Sequence, residues 1–159
     1  MNLPKRKHPR LKNYDYSQNG YYFITICTQD HKKLLGSIHF PDDPQDLPDN
    51  TLSEYGKITE TYIKGIENAY RNVYVEKYVI MPNHVHLILV LYSDKDTEPA
   101  PSIQTVIHGF KSLTTKKIGF PIWQESFYEH IIRNDAAYRE IWTYIDDNPR
   151  RWLEDRYYL

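Results

Sequence analysis

The sequence predicts an α+β fold built on an antiparallel sheet, and three observations carry that prediction. Short runs of β-branched and aromatic residues alternate with longer stretches whose apolar residues fall every three or four positions. Two of the strand-like runs, Val73 to Met81 and His84 to Tyr92, are separated only by Pro82 and Asn83, a spacing that folds back as a hairpin. A chain of 159 residues with 40% hydrophobic and 26% charged content is also large enough for one buried core.

Taken in order, Tyr21 to Thr28 (YYFITICT) follows Gly20 without an internal Gly or Pro and reads as the first, buried strand. Ile38 to Asn50 holds three prolines among aspartates with little periodicity and reads as a loop or short irregular insertion. From Ser53, a plausible cap, Tyr55, Ile58, Tyr62, Ile66 and Ala69 repeat at helical spacing. After the hairpin, Ser102 can cap a second helix whose stripe is Ile103, Val106, Ile107, Phe110 and Leu113 or Thr114, ending near Gly119 and Pro121. Ile122 to Ile132 has mixed patterning with room for a fourth strand. Asn134 then caps a last helix with Tyr138, Ile141, Trp142 and Ile145 on one face, stopped by Pro149.

The order β-α-β-β-α-β plus a C-terminal helix fits a ferredoxin-like layer, with helices on one face of the sheet and the other face left available for function. Residues 20–159 are expected to form one domain behind a basic arm at 1–19. That fold alone permits many functions.

The formal charge is −1, so no global field draws the molecule to a polyanion. The distribution is less even. Lys5, Arg6, Lys7, Arg10 and Lys12 give the first twelve residues a local +5 with no acid, leaving −6 elsewhere. That arm suits a nucleic-acid backbone. The single cysteine, Cys27, excludes an intramolecular disulfide framework and every multi-cysteine zinc module. No apolar leader segment opens the sequence, and the longest apolar stretch is far short of a bilayer span, so a cytoplasmic protein without a membrane partner is expected.

His84 and His86 are two apart in a strand, so both imidazoles point to one side, their Cα atoms about 6.6 Å apart. Val85, Leu87, Leu89 and Leu91 take the opposite face and belong against the helices, which puts the histidines on the open face. Two imidazoles so placed can meet on one divalent cation; two surface histidines on a solvated strand are the plainer alternative. In the last helix, Tyr144 lies roughly 110° from the centre of the apolar stripe and is not required by the core. Asn148 follows four residues later on the same side. Its amide oxygen is a hard ligand suited to Mg²⁺ or Mn²⁺, although a residue before Pro149 can equally serve as a helix cap.

The segment YVIMPNHVHLILV (Tyr78 to Val90), preceded by GYYFITICTQD and followed by FKSLTTKKIG, WQESFYEHIIRN and YIDDNP, resembles the HUH single-tyrosine transposases of bacterial insertion sequences. Within that class it is most similar to the REP-associated tyrosine transposases, which share the RKHPRLKNYDY-type arm, the WQ…IIRN segment and the YI..NP ending. The likeness runs from about Arg6 to Pro149. It implies a ferredoxin-like endonuclease acting on single-stranded DNA beside a hairpin. His84 and His86 would be the paired metal ligands, Tyr144 the nucleophile that forms a covalent 5′-phosphotyrosine, and Asn148 the third ligand, where the insertion-sequence branch has Gln. The implied cofactor is a divalent Mg or Mn ion. Monomer and homodimer are both open, as is whether Tyr144 serves its own or a partner's metal site.

Among the remaining candidates, Lys111 and Arg133 are expected to meet phosphates, with Lys116 and Lys117 on the same helix as Lys111; a solvated polar face explains them about as well. Trp123 is expected in the core, while Tyr128 and His130 could orient a base. Tyr128 and Tyr138 are rival nucleophiles, Tyr138 disfavoured by its place in the apolar stripe. The runner-up reading is a non-catalytic ferredoxin-like nucleic-acid-binding protein derived from a transposase, and a water-using metal hydrolase ranks last.

Overall fold

The computed structural model describes residues 20–93 and 99–158. The arm at 1–19, with Lys5, Arg6, Lys7, Arg10 and Lys12, lies outside the described residues. The elements are β1 (Gly20–Cys27), β2 (Gly36–His39), β3 (Asp49–Leu52), α1 (Glu54–Ala69), β4 (Val73–Met81), β5 (His84–Leu91), α2 (Ile103–Ile118), β6 (Tyr128–Ile132) and α3 (Asp135–Asp147). Single 3₁₀ turns occur at Gln29–His31 and Trp152–Glu154.

The all-apolar character of β5 outside its two histidines places it near the centre, and every one of its eight residues is buried. It pairs antiparallel with β4 and β1, and β1 pairs antiparallel with β6, giving the order β4-β5-β1-β6. With α1 joining β1 to β4 and α2 joining β5 to β6, this is the expected ferredoxin-like connectivity. The register sets Thr25 opposite His86 and Cys27 opposite His84.

All three helices start where a cap was expected. Ser53 accepts from Gly56 N, Ser102 from Thr105 N, and Asn134 from Ala137 N. Gly119 ends α2 in the left-handed region at φ 100°, a conformation that favours glycine. The buried line of α1 runs through Gly56, Thr59, Ile63 and Ile66, with Tyr55 and Tyr62 flanking it. Thr59 can sit there because its hydroxyl donates to the Tyr55 carbonyl. In α2 the open choice resolves to Thr114, whose hydroxyl is satisfied by the Phe110 carbonyl and the Trp123 indole, while Leu113 is exposed.

The sheet carries one apolar cluster on each face. Ile24, Ile26, Val85, Leu87, Leu89 and Leu91 pack with α1 and α2. Tyr21, Ile88, Val90 and Ile132 pack with Tyr138 and Ile145 of α3. The face expected to be open is therefore partly roofed by α3. The amphipathic stripe of α3 must be buried somewhere, and the first sheet face is already taken by two helices. A second difference lies at 36–52, where β2 and β3 form a two-stranded ribbon around the Pro- and Asp-rich loop. Its strands alternate exposed and half-buried residues, too short and too polar to read as strands from sequence. No helix among the described residues is long and apolar enough to cross a membrane.

Candidate active site

His84 and His86 lie on the α3 side of the sheet, as their spacing requires, but they are buried, at 0% and 1% exposure. The expectation of an open face at the histidines fails, and with it the alternative of two solvated surface histidines, because α3 and the C-terminal segment cover them. Their ring centroids are 4.6 Å apart. Each Nδ1 is held from behind: His86 Nδ1 is 2.8 Å from the Thr25 hydroxyl, and His84 Nδ1 is 2.8 Å from Asn83 Oδ1. The Asn83 amide nitrogen donates to the carbonyls of Tyr157 (2.6 Å) and His31 (3.3 Å), so its oxygen is the atom that faces His84. His84 Nδ1 must therefore donate, leaving the Nε2 lone pair free to bind a metal.

The end of α3 delivers the other two predicted residues to the same place. Asn148 is 3% exposed, and its amide nitrogen reaches the Tyr144 carbonyl at 3.4 Å. The Asn148 side chain also borders both His84 and the Tyr144 phenol. Tyr144 itself is 40% exposed, with its ring edge-on to Phe23 at 6.1 Å and 5.2 Å from His86. The phenol opens onto a groove of about 1060 Å³ whose lining includes Phe23, Tyr128, His130, Arg139, Arg151 and Arg156.

Three buried side-chain atoms here lack a hydrogen-bond partner: His84 Nε2, His86 Nε2 and Asn148 Oδ1. Leaving a polar atom buried and unpartnered typically costs 1–3 kcal/mol. A divalent cation would satisfy all three, and two imidazoles with an amide oxygen fit Mg²⁺ or Mn²⁺. Among the described residues no group of three His, Cys, Asp or Glu side chains is arranged to hold a metal, so the amide is needed in the set.

Burial governs the electrostatics of the site. It pushes His84 down to about 3, against the opposing effect of Asn148, and positive charge at His31 and Arg156 adds to the depression. His86 is held well below its ordinary range by burial, then by His84 and Arg156. Burial raises the Tyr144 phenol, while Asn148 works the other way. Both imidazoles are thus kept neutral, the form that binds metal.

No family model matches the chain. An uncharacterised protein of Haemophilus influenzae is 31% identical over 175 residues, covering 97% of this chain and 93% of the relative. A second protein of that organism, named as a REP-associated tyrosine transposase, is 26% identical over 151 residues, covering 87% and 76%. The chain is similar to the REP-associated tyrosine transposases. Its fold agrees with that likeness. A REP-associated tyrosine transposase solved bound to a REP hairpin superposes with a TM-score of 0.64 at 23% identity, over 91% of this chain and 74% of the other. A protein of Deinococcus radiodurans R1 described as a transposase gives 0.51 at 14% identity, over 88% and 97%.

The other candidates sort clearly by their surroundings. Tyr138 is buried, and its hydroxyl donates to Glu76 at 2.9 Å, so it serves the core. Tyr128 is exposed at the groove, edge-on to Phe23. Trp123 is in the core, as expected, with its indole nitrogen 2.7 Å from Thr114. Arg133 is exposed just before α3, and Lys116 and Lys117 are exposed on the last turn of α2. Lys111 departs from expectation. Its ammonium donates to the carbonyls of Gln124, Glu125 and Ser126 at 2.8, 3.1 and 3.1 Å, so it pins the loop before β6 in place of reaching a phosphate.

Sequence reasoning missed Thr25, Asn83 and the C-terminal segment. The Tyr157 ring lies 4.5 Å from His84, and Asp155, with a side chain 4% exposed, brings Oδ2 to 3.7 Å from His84 Nε2. Asn83 had a local signal, since it directly precedes His84. Thr25 becomes visible only once the register is known.

Proposed function

We propose that the protein is a metal-assisted DNA strand-transfer enzyme that cleaves and rejoins single-stranded DNA beside a hairpin, using Tyr144 as nucleophile. The observation that carries this reading is the half-exposed Tyr144 phenol beside three buried, unpartnered ligand atoms, His84 Nε2, His86 Nε2 and Asn148 Oδ1. Hairpin DNA is favoured as substrate because a REP-associated tyrosine transposase of the same fold is bound to a REP hairpin. The Tyr144 ring lies 5.2 Å from that of His86 in the same chain, which favours a tyrosine acting at its own chain's ligand set.

In this reading the Tyr144 oxygen attacks a scissile phosphorus, and the phosphorus–O3′ bond breaks. The 3′ oxygen takes up a proton and leaves as a 3′-OH, while the 5′ phosphate stays on Tyr144 as a phosphodiester. Attack by another 3′-OH reverses the step and restores the phenol without ATP. His84, His86 and Asn148 would hold a Mg²⁺ or Mn²⁺ ion, which would supply polarisation of the phosphoryl oxygens and offset the charge that grows on them. Asn148, beside both His84 and the phenol, keeps nucleophile and ligand set in one frame. The arm residues Lys5, Arg6, Lys7, Arg10 and Lys12, together with Arg133, supply salt-sensitive contacts along the DNA backbone.

The test mixes the protein and Mn²⁺ with labelled single-stranded hairpin oligonucleotides from repeats flanking its gene. A denaturant-resistant adduct that maps to Tyr144, and is lost in Tyr144→Phe with hairpin binding retained, is the expected result. An unchanged adduct in Tyr144→Phe removes Tyr144 from the mechanism. Tight, salt-dependent binding with no adduct from the unaltered protein points to the binding-protein reading.

A further inference from the structure

We infer that Asp155 supplies a fourth ligand, an anionic carboxylate oxygen, to the cation site of His84, His86 and Asn148. The inference rests on the reading of that trio as a metal site and deepens it. Asp155 Oδ2 faces His84 Nε2 at 3.7 Å, beyond hydrogen-bond reach, inside a region where the Asp155 side chain is 4% exposed. Two acceptors set face to face in a dry place repel one another unless something positive lies between them. Asn83 already takes the Nδ1 proton of His84, which leaves Nε2 as a lone pair, and Asn148 adds another acceptor oxygen without a partner. A cation accounts for all of them together.

The segment carrying Asp155 is held where the carboxylate is useful. Asp155 Oδ1 accepts from the Tyr157 backbone N–H at 2.8 Å, which turns Oδ2 towards the histidines. The Tyr157 carbonyl accepts in turn from Asn83 Nδ2 at 2.6 Å. One asparagine thus sets the His84 tautomer and fastens the segment that brings Asp155 to His84. Two ligand atoms at about 2.1 Å from one ion lie about 3.0 Å apart when cis in an octahedron. The 3.7 Å separation is about 0.7 Å wider, so His84, His86 and Asp155 are not a closed ligand group as placed, and a turn of the carboxylate on a segment outside the sheet closes the gap. Two imidazoles and an amide are neutral and leave the ion its full charge, whereas a carboxylate halves it. That favours retention of a hard divalent cation before DNA is present.

Mn²⁺ binding to the full chain without DNA, read from loss of the free-ion electron paramagnetic resonance signal, tests this. Asp155→Asn keeps an oxygen for the Tyr157 N–H but removes the charge, and is expected to weaken Mn²⁺ by about tenfold or more. Unchanged affinity in Asp155→Asn, with affinity lost in His84→Ala/His86→Ala, overturns the role of Asp155 and leaves the trio standing. Unchanged affinity in the histidine double variant overturns the metal site as a whole. A second variant guards against a purely structural effect. With the native thiol removed by Cys27→Ala, Asp155→Cys is expected to give an ultraviolet thiolate-to-metal charge-transfer band on adding Cd²⁺, absent in Cys27→Ala alone. A folded variant without that band overturns the inference.

Discussion

Asn83 accepts a 2.8 Å hydrogen bond from the Nδ1 of His84, its sequence neighbour, and thereby decides which nitrogen of that imidazole faces the site. Ligand atoms are only as well placed as the groups behind them, and losing such a partner typically weakens a metal site 10–100-fold. Asn83→Ala removes both the acceptor and the two amide bonds to Tyr157 and His31. We expect Mn²⁺ affinity to fall within that range in Asn83→Ala. Asn83→Asp, which keeps the acceptor, should lose distinctly less. Equal losses in the two variants, measured by Mn²⁺ titration, would mean that the anchoring of Tyr157 matters and the tautomer does not.

Two tyrosines six residues apart in α3 have opposite duties. Tyr138 is buried and donates to Glu76, whereas Tyr144 is 40% exposed at the groove. Tyr138→Phe takes a donor from the half-buried Glu76 carboxylate and is expected to lower stability by about 1–3 kcal/mol, with adduct formation on hairpin DNA retained. Tyr144→Phe is expected to change stability by less than about 0.5 kcal/mol while abolishing the adduct. Urea unfolding and the adduct assay, run on both variants, check the contrast. A Tyr144→Phe protein as unstable as Tyr138→Phe would show that the core depends on the Tyr144 hydroxyl.

What the sequence made legible is local and periodic. A two-residue repeat put His84 and His86 on one face, and a 3.6-residue repeat put Tyr144 and Asn148 together and away from the Tyr138–Ile145 stripe. The capping serines and Asn134 were readable for the same reason. The rest depended on tertiary placement. Nothing in the α3 stripe says which sheet face it covers, so histidines expected on an open face are buried. Thr25 meets His86 through register, across 61 residues of chain. Asp155 and Tyr157 sit in a segment with no period, held by hydrogen bonds that no pattern announces.

Lys111 and Arg133 looked alike as phosphate contacts and separate once their surroundings are known. The Lys111 ammonium is engaged by three backbone carbonyls, and removing it leaves those acceptors to find water. Lys111→Ala is expected to lower stability by about 1–3 kcal/mol with no change in the salt dependence of hairpin binding. Arg133→Ala should leave stability within about 0.5 kcal/mol and reduce the log–log salt slope by about 1, one phosphate contact. Fluorescence anisotropy at several salt concentrations separates the two. A reduced slope in Lys111→Ala would return that residue to the DNA surface.

Acid should weaken the fold through the two histidines. In the folded chain burial holds His84 at about 3 and His86 well below its ordinary range, whereas both bind protons near pH 6.5 once unfolded. The unfolded state then carries the extra protons, so stability is fully present above pH 6.5 and falls as pH drops towards 3. With two groups the slope approaches about 2.7 kcal/mol per pH unit. Asp155 works in the opposite sense, because burial raises its carboxyl and protonation there favours the folded state. Its contribution grows at the acidic end, which makes pH 6.5 to 5 the cleanest window for the histidines. Urea midpoints taken with a chelator present should therefore fall between pH 7 and 5 in the unaltered protein and change much less in His84→Gln/His86→Gln. Parallel declines in the two proteins would assign the acid sensitivity to other groups and remove the argument that the imidazoles are buried in their neutral form.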